Sequence, residues 1–257
     1  MNNAEVSIAV VYPDLLGTYG DGGNARILAQ RLRWRGIGAS VLTVTSGTPL
    51  PDSCDIYVLG GGEDAPQSLA AETLRAEGAL SRAVDGGAAL LAVCAGFQVV
   101  GTRFRTSEGV RDGVGILDAD SAEGLTRRAV GELVVDAGLD VPLSGYENHA
   151  AMTRLGAGVQ PLGPVEVGVG NGTPERLDGA VTGRVLGTYL HGPVLARNPE
   201  IADLILGWVV GDLPPLDHPH VDADAEDLRR ERLTAVMRRR RRLLKRRAAP
   251  SGTGGGR

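Results

Sequence analysis

Lysine, cysteine and aromatic residues are all scarce in this sequence of 257 residues. Lys245 is the single lysine, which excludes a Walker-type phosphate-binding loop or a Schiff-base lysine from the body of the chain. The two cysteines, Cys54 and Cys94, form no CxxC pair and no Cys/His cluster, so neither a metal site nor a disulfide scaffold is expected. Aromatic residues make up 4% of the chain while glycine occurs 38 times, which favours a tightly turned α/β chain.

Long apolar segments are missing as well. The longest run without a charged residue covers 86–102, short of the roughly 20 apolar residues that a membrane-spanning helix needs. No basic segment precedes an apolar stretch near Met1, so no signal peptide is predicted. These absences predict a cytoplasmic protein.

The net charge of −4 conceals an asymmetry between the body of the chain and its last part. From Arg229 onward there are twelve Lys or Arg and one acidic residue, whereas the rest carries 15 basic against 30 acidic residues. The basic segment is expected either to be a solvated tail or to contact anionic lipid at the inner face of the membrane. The acidic body would repel phosphate, so nucleic acid is not an expected partner.

Apolar runs that alternate with helical patterns predict an α/β fold. Buried strands are expected at 6–11, 40–45, 56–59, 88–93 and 185–189, and helices at 25–35, 66–85, 95–100 and 199–210. This alternation implies βαβ units in a parallel sheet, in which ligands gather at the carboxyl ends of the strands. Short β-like runs between 113 and 188 predict further, partly antiparallel strands on the same domain.

The predicted domain organisation has three parts. Residues 1–212 form the catalytic domain, and 213–247 form a linker followed by an Arg-rich helix. The remaining segment, 248–257, is polar and Gly-rich and is predicted to be disordered.

The first chemical signal is a cysteine at a corner. Residues 90–98 read Leu-Leu-Ala-Val-Cys-Ala-Gly-Phe-Gln, which combines a buried strand, a turn of small residues and a helix start, the pattern of a nucleophile elbow. The helix dipole favours the thiolate form of Cys94, and the backbone N–H of Ala95 would point at an oxyanion. The corner by itself is equally compatible with a buried core cysteine.

A thiolate nucleophile needs a base, and the chain has four histidines. His218 and His220 lie in a Pro/Asp-rich segment that is expected to be solvated, which leaves His149 and His191. His191 directly follows a predicted strand, as Cys94 does, so both are expected at the carboxyl edge of the sheet. The agreement of the two positions predicts a Cys–His catalytic pair.

These two segments resemble a known family. Val-Cys-Ala-Gly-Phe-Gln at 93–98, together with Gly-Thr-Tyr-Leu-His-Gly at 187–192, resembles the class I glutamine amidotransferases of the cobyric acid synthase type. The resemblance implies that Cys94 attacks the side-chain amide of glutamine and that His191 protonates the ammonia that leaves. His191 would then activate water to free glutamate from the thioester.

Two further segments are similar to the GatD subunits of lipid II isoglutaminyl synthase. One is Tyr-Pro-Asp-Leu at 12–15 with Tyr-Gly-Asp-Gly-Gly-Asn at 19–24, and the other is Gly-Tyr-Glu-Asn-His at 145–149. The similarity spans roughly 5–210. It implies the flavodoxin-like class I glutamine amidotransferase fold, with a mostly parallel central sheet flanked by helices and additional antiparallel strands.

The resemblance also implies the groups that bind glutamine. Gly61, in the Gly-Gly-Gly turn after the third strand, and the N–H of Ala95 would hold the oxyanion. Arg128 would pair with the substrate carboxylate, with its neighbour Arg127 as the alternative, because a guanidinium offers two parallel hydrogen bonds. Gln98 would contact the substrate as well.

The sequence departs from the family pattern at two positions. Ala92 stands two residues before the cysteine, where many members have glycine. Pro193 stands two residues after the histidine, where many members carry the acid that completes a triad. Asp21 is the alternative acid for orienting His191. The competing interpretation is that Asp21 is a turn residue ahead of the next helix. Glu147 and His149 are left open between structural and functional roles.

Without a phosphate-binding lysine, this chain is expected to hold no cofactor, and another protein must activate the acceptor. The resemblance implies a heterodimer with a MurT-like Mur ligase subunit that binds ATP and Mg²⁺. That complex would amidate the D-glutamate of the lipid II stem to D-isoglutamine. The alternatives are an amidotransferase for a cobalamin-type precursor, a cysteine hydrolase that needs no glutamine, and a binding subunit with an inert thiol.

Overall fold

The computed structural model describes residues 5–218 and 220–248. In chain order the elements are β1 (Val6–Val11), α1 (Gly23–Arg33), β2 (Ala39–Val44), β3 (Ile56–Leu59), α2 (Asp64–Glu77), α3 (Ala79–Asp85), β4 (Ala89–Val93), α4 (Ala95–Val100), β5 (Arg103–Thr106), β6 (Gly109–Asp112), β7 (Ala119–Val135), β8 (Leu143–Leu155), β9 (Gly163–Val167), β10 (Leu177–Asp178), β11 (Ala180–Thr182), β12 (Val185–Thr188), α5 (Val194–Arg197), α6 (Pro199–Val210) and α7 (His220–Ala248).

The central sheet has six strands in the order β11-β12-β4-β3-β1-β2. Every neighbouring pair is parallel except β11 and β12, which are antiparallel. Strands β3, β4 and β12 are buried at every residue, as expected for a parallel sheet that is covered by helices on both faces. The predicted mostly parallel sheet with additional antiparallel strands is therefore confirmed.

Most of the strands predicted between 113 and 188 lie in a second sheet, which also includes β5 and β6, whereas β11 and β12 belong to the central sheet. The order of the second sheet is β10-β9-β7-β5-β6, and β8 pairs with β7. Within this sheet the β5–β7 pair is parallel and the other pairs are antiparallel. The pattern predicts only short runs here, whereas β7 is 17 residues long, because the exposed charged side chains in its middle hide the strand from a hydrophobic pattern.

One predicted helix is wrong in its extent. The segment 66–85 is not a single helix, since α2 ends at Glu77 and α3 begins at Ala79. Between them Gly78 has φ +63°, a left-handed conformation that glycine adopts readily and that ends a helix. The Ala-rich composition on both sides favours helix throughout and conceals this break.

Helix α7 lies against the body through ion pairs. Arg31 of α1 contacts Asp222, and Arg229 contacts Glu200 of α6. Arg232 contacts Glu132 of β7. Within the body, Arg31 also contacts Asp203, and Arg197 lies 3.8 Å from Glu132. The predicted Arg-rich helix is thus present from His220 onward. Apart from Ala248, the segment predicted to be disordered lies outside the described residues.

The fold places several chain segments at one edge of the central sheet. The loop after β1, the glycine turn after β3, Cys94 after β4 and His191 after β12 all follow the carboxyl ends of neighbouring strands. Within the described ranges, none of the helices is both long and apolar enough to cross a membrane.

Candidate active site

Cys94 occupies a sharp corner between β4 and α4. Its backbone has φ 53° and ψ −107°, a combination that costs free energy in a non-glycine residue and is found mainly at functional sites. The corner also needs small neighbours, because a Cβ on Gly96 would lie 2.8 Å from Cβ of Leu59. The cysteine is 5% exposed, so it lies at the bottom of a cleft and not on the open surface.

His191 is held by both its backbone and its ring. Its N–H and C=O pair with the backbone of Tyr146 on β8, at N···O distances of 2.8 and 3.1 Å. Its Nδ1 lies 3.0 Å from Oδ2 of Asp21, and both residues are buried. The other ring nitrogen, Nε2, is buried without a hydrogen-bond partner in the part of the chain that the structure describes. The free nitrogen is therefore available to exchange a proton with a reacting group.

The environment of His191 favours its protonated form. Burial lowers the pKa of His191, but the Asp21 carboxylate and the Cys94 thiolate outweigh burial and raise the pKa to about 10. The raised pKa favours an imidazolium beside the cysteine. That state provides a proton for a leaving amine.

Gly61 contacts the His–Asp pair directly. Its N–H donates to Oδ2 of Asp21 at 3.0 Å, so this N–H is occupied and does not serve an oxyanion in this structure. A Cβ on Gly61 would lie 2.8 Å from Cε1 of His191 and 3.0 Å from the ring of Tyr19, so only glycine fits. The next residue, Gly62, lines the cleft, and its N–H has no hydrogen-bond partner among the described residues.

A cleft of about 290 Å³ opens beside the cysteine. Cys94, Ala95, Gln98 and Arg128 line it, whereas Gly61, His191 and Arg127 are not among its lining residues. The volume suits a small polar substrate. Ala95 begins α4, so its N–H has no intrahelical acceptor and is free for a ligand.

Gln98 is held in place by two neighbours. Nε2 of Gln67 donates to its Oε1 at 2.9 Å, and its own Nε2 donates to the hydroxyl of Tyr189 at 3.4 Å. The side chain is buried at the wall of the cleft. Gln67 lies on α2, and the sequence gives no signal that would assign it to the site.

Two more side chains that sequence reasoning did not single out complete the site. The ring of Tyr19 lies 4.6 Å from the ring of His191, and its hydroxyl accepts a hydrogen bond from Nδ2 of Asn148 at 2.7 Å. Asn148 in turn accepts a hydrogen bond from Nε of Arg128 at 2.6 Å. Both residues lie inside the GatD-like segments 19–24 and 145–149, so that similarity is the sequence signal that could have identified them.

The two residues left open by the sequence, Glu147 and His149, are buried neighbours, with Nε2 of His149 3.6 Å from Oε2 of Glu147. The carboxylate of Glu147 accepts hydrogen bonds from the N–H groups of Val169 and Gly170, and it braces the turn after β9 from a buried position. His149 stacks on Tyr189 at a ring distance of 3.8 Å and lines the cleft. Glu147 therefore has a structural role, and His149 forms part of the cleft wall.

Comparison with known proteins agrees with this geometry. Residues 7–199 match the family model of the CobB/CobQ-like glutamine amidotransferase domain. A solved structure described as a glutamine amidotransferase superposes with a TM-score of 0.52 over 79% of this chain and 98% of its own, at 19% identity. That likeness supports the fold.

Named relatives share more of the sequence. The chain is 36% identical to the GatD subunit of lipid II isoglutaminyl synthase (glutamine-hydrolyzing) from Staphylococcus aureus, over 79% of this chain and 83% of that protein. It is 31% identical to the GatD subunit from Streptococcus pneumoniae, over 77% and 78%. A cobyric acid synthase from Methylobacterium nodulans is 34% identical, over 60% of this chain and 32% of that protein. The chain belongs to the CobB/CobQ-like glutamine amidotransferase family, in which GatD subunits are among its relatives.

Proposed function

We propose that this chain hydrolyses L-glutamine through a thioester on Cys94 and delivers the ammonia to a MurT-like, ATP-dependent Mur ligase subunit. That partner would bind ATP and Mg²⁺ and amidate the D-glutamate of lipid II to D-isoglutamine. The observation that carries the glutaminase assignment is Cys94 in a substrate-sized cleft, with a histidine that interacts with it and is paired with the buried Asp21 carboxylate. The lipid II assignment rests on the GatD relatives.

The chemistry begins with attack of the Cys94 thiolate on the amide carbon of the glutamine side chain. The N–H groups of Ala95 and Gly62 stabilise the negative oxygen that forms. When the C–N bond breaks, His191 gives its proton to the departing ammonia, and a thioester to Cys94 remains. Water then attacks the thioester while His191 takes its proton, and glutamate and the thiolate are released.

Arg128 binds the α-carboxylate of glutamine in this scheme, because it lines the cleft and Arg127 does not. We expect Arg128→Ala to raise KM for glutamine about 10- to 100-fold, since hydrogen bonds to a charged group contribute about 1.5–3 kcal/mol. Arg127→Ala is the matched control and should leave KM unchanged. Steady-state measurement of glutamate release compares the variants, and equal KM values for both would remove Arg128 from the substrate site.

The acceptor is tested with the complete complex. Glutamate release should rise when the MurT-like subunit, ATP, Mg²⁺ and lipid II are added, and mass spectrometry should detect amidated lipid II. A cobyrinic acid-type acceptor is tested in parallel, because the chain is also similar to a cobyric acid synthase. Hydrolysis of glutamine without stimulation or amidation would leave the glutaminase assignment intact and reject the lipid II assignment.

An acceptor on lipid II would place the complex at the inner face of the cytoplasmic membrane. The basic residues from Arg238 onward would then meet anionic lipid headgroups, which attract clustered Lys and Arg, whereas Arg229 is buried and paired with Glu200. Binding of the chain to anionic vesicles but not to neutral ones is the expected result, and a truncated chain ending at Met237 serves as the comparison.

A further inference from the structure

Three side chains form a hydrogen-bonded bridge across the mouth of the catalytic site. They come from separate elements: Tyr19 from the loop between β1 and α1, Asn148 from β8 and Arg128 from β7. Nδ2 of Asn148 donates to the Tyr19 hydroxyl at 2.7 Å, and its Oδ1 accepts from Nε of Arg128 at 2.6 Å. The backbone carbonyl of Asn148 accepts a further bond from Nη2 of Arg128 at 3.4 Å.

Arg128 determines the orientation of the Asn148 amide. A guanidinium can only donate, so the Asn148 oxygen must face Arg128, and its NH₂ group then faces the Tyr19 hydroxyl. Reversing the amide would place NH₂ against the guanidinium and lose that bond, although the Tyr19 hydroxyl would then donate to the amide oxygen. Arg128 therefore fixes the orientation of the Asn148 side chain, and that side chain in turn bonds both neighbours.

The bridge reaches both catalytic groups. The carbonyl oxygen of Asn148 lies 3.9 Å from Sγ of Cys94, and the ring of Tyr19 lies against the ring of His191. Tyr19 also fills the space beside Gly61. The bridge is thus continuous from the histidine to the arginine that lines the cleft.

Asn148 also determines how ordered Arg128 is. The arginine is exposed, and a free arginine side chain samples many rotamers. Asn148 engages two of its three guanidinium nitrogens, Nε and Nη2. Holding the guanidinium in advance reduces the ordering cost that a ligand would otherwise meet.

We propose that Asn148 is a positioning residue of this enzyme, which aims Arg128 at the α-carboxylate of glutamine and holds Tyr19 against His191. This inference rests on the proposed glutaminase function. It predicts that loss of Asn148 weakens glutamine binding far more than it slows turnover, because the groups that react with the amide are unchanged.

The test combines kinetics with binding. Asn148→Ala should raise KM about 10-fold or more while kcat changes less than about 3-fold, and Tyr19→Phe should raise KM about 3-fold. Asn148→Asp preserves the shape but places a carboxylate on Arg128, so KM should rise at least as much as in Asn148→Ala. In a Cys94→Ala background, which cannot turn over, calorimetry should show the same loss in Kd for glutamine.

Two controls separate positioning from a merely structural role. Asn171→Ala removes an asparagine that is more deeply buried than Asn148 and bonds the backbone of Gly179 away from the cleft, and it should lower Tm but leave KM unchanged. In an Arg128→Ala background, Asn148→Ala should add at most the rise of about 3-fold in KM that is expected for Tyr19→Phe, because the rest of its effect acts through the arginine.

Two results would overturn the inference in distinguishable ways. If the wild type hydrolyses glutamine and Asn148→Ala keeps wild-type KM and Kd, Asn148 is not a positioning residue and the glutaminase assignment stands. If the wild type releases no glutamate and Cys94→Ala binds no glutamine, the proposed function fails and this inference fails with it.

Discussion

Cys94→Ser should abolish glutamate release from glutamine, with kcat lower by at least about 10³-fold. A serine hydroxyl is a far weaker nucleophile than a thiolate, and the strained corner at residue 94 holds whichever side chain is there in the same place. The His191–Asp21 pair would remain intact, so the variant should still bind glutamine. Coupled detection of glutamate, with calorimetry for binding, measures both properties.

Cys54 provides the matched control for this variant. It is the other free cysteine and is also buried, but it lies away from the cleft, with its backbone N–H bonded to the hydroxyl of Tyr57. Burial raises the pKa of the Cys54 thiol, so it should react slowly with alkylating agents. Cys54→Ser should keep full activity, and glutamine should protect the wild type from alkylation. Glutamate release by Cys94→Ser at the wild-type rate would reject the thioester mechanism.

Asp21→Asn should lower kcat by about 10³- to 10⁴-fold, in line with the effect of the same change in a serine protease triad. The carboxylate lies 3.0 Å from Nδ1 of His191, where it fixes the ring and stabilises the imidazolium. An amide at this position can donate to Nδ1 and so select the wrong tautomer. Asp14→Asn, on the same loop but bonded to Ser46, is the control and should retain activity.

The pH profile of kcat/KM tests the role of Asp21 as well, because the direction of its shift in Asp21→Asn can be predicted. Protonated His191, which donates the proton to ammonia, is present below its pKa of about 10 and is lost as the pH rises through that value. Removing the Asp21 carboxylate lowers the pKa of His191, so the alkaline limb of kcat/KM should move to lower pH. The raised pKa also stabilises the fold, fully below about 6.5 and progressively less up to about 10. An unshifted alkaline limb in Asp21→Asn would show that another group orients the histidine.

The positions of Cys94 and His191 follow from the sequence because a parallel sheet has a simple rule. Each residue follows a buried apolar run, and strands of one parallel sheet end at the same edge. The structure confirms the two strands as direct neighbours, β4 and β12. The role of Asp21 is harder to predict from the sequence, because a carboxylate in a Gly-rich loop is equally consistent with a turn residue. Only the folded loop at the sheet edge brings it to His191.

The contact between Arg128 and Asn148 cannot be predicted from sequence patterns. They meet because β7 pairs with β8 over a long antiparallel ladder, and the register of that ladder shifts between Gly124 and Ala129. A one-residue slip turns a side chain to the opposite face, so neither the choice of Arg128 over Arg127 nor its contact with Asn148 is contained in local spacing. The hydrogen bond from the N–H of Gly61 to Asp21 is likewise visible only in the tertiary structure.

The sequence by itself determined the α/β class, the strand ends that present Cys94 and His191, and the family, because these depend on local periodicity and on short motifs. Tertiary structure alone decided the partner of His191, the residues that hold Arg128 and the packing of α7 through buried arginines. Those features are contacts between residues that lie far apart in the chain. Their geometry depends on strand register and loop path, which the burial of the whole core fixes at once.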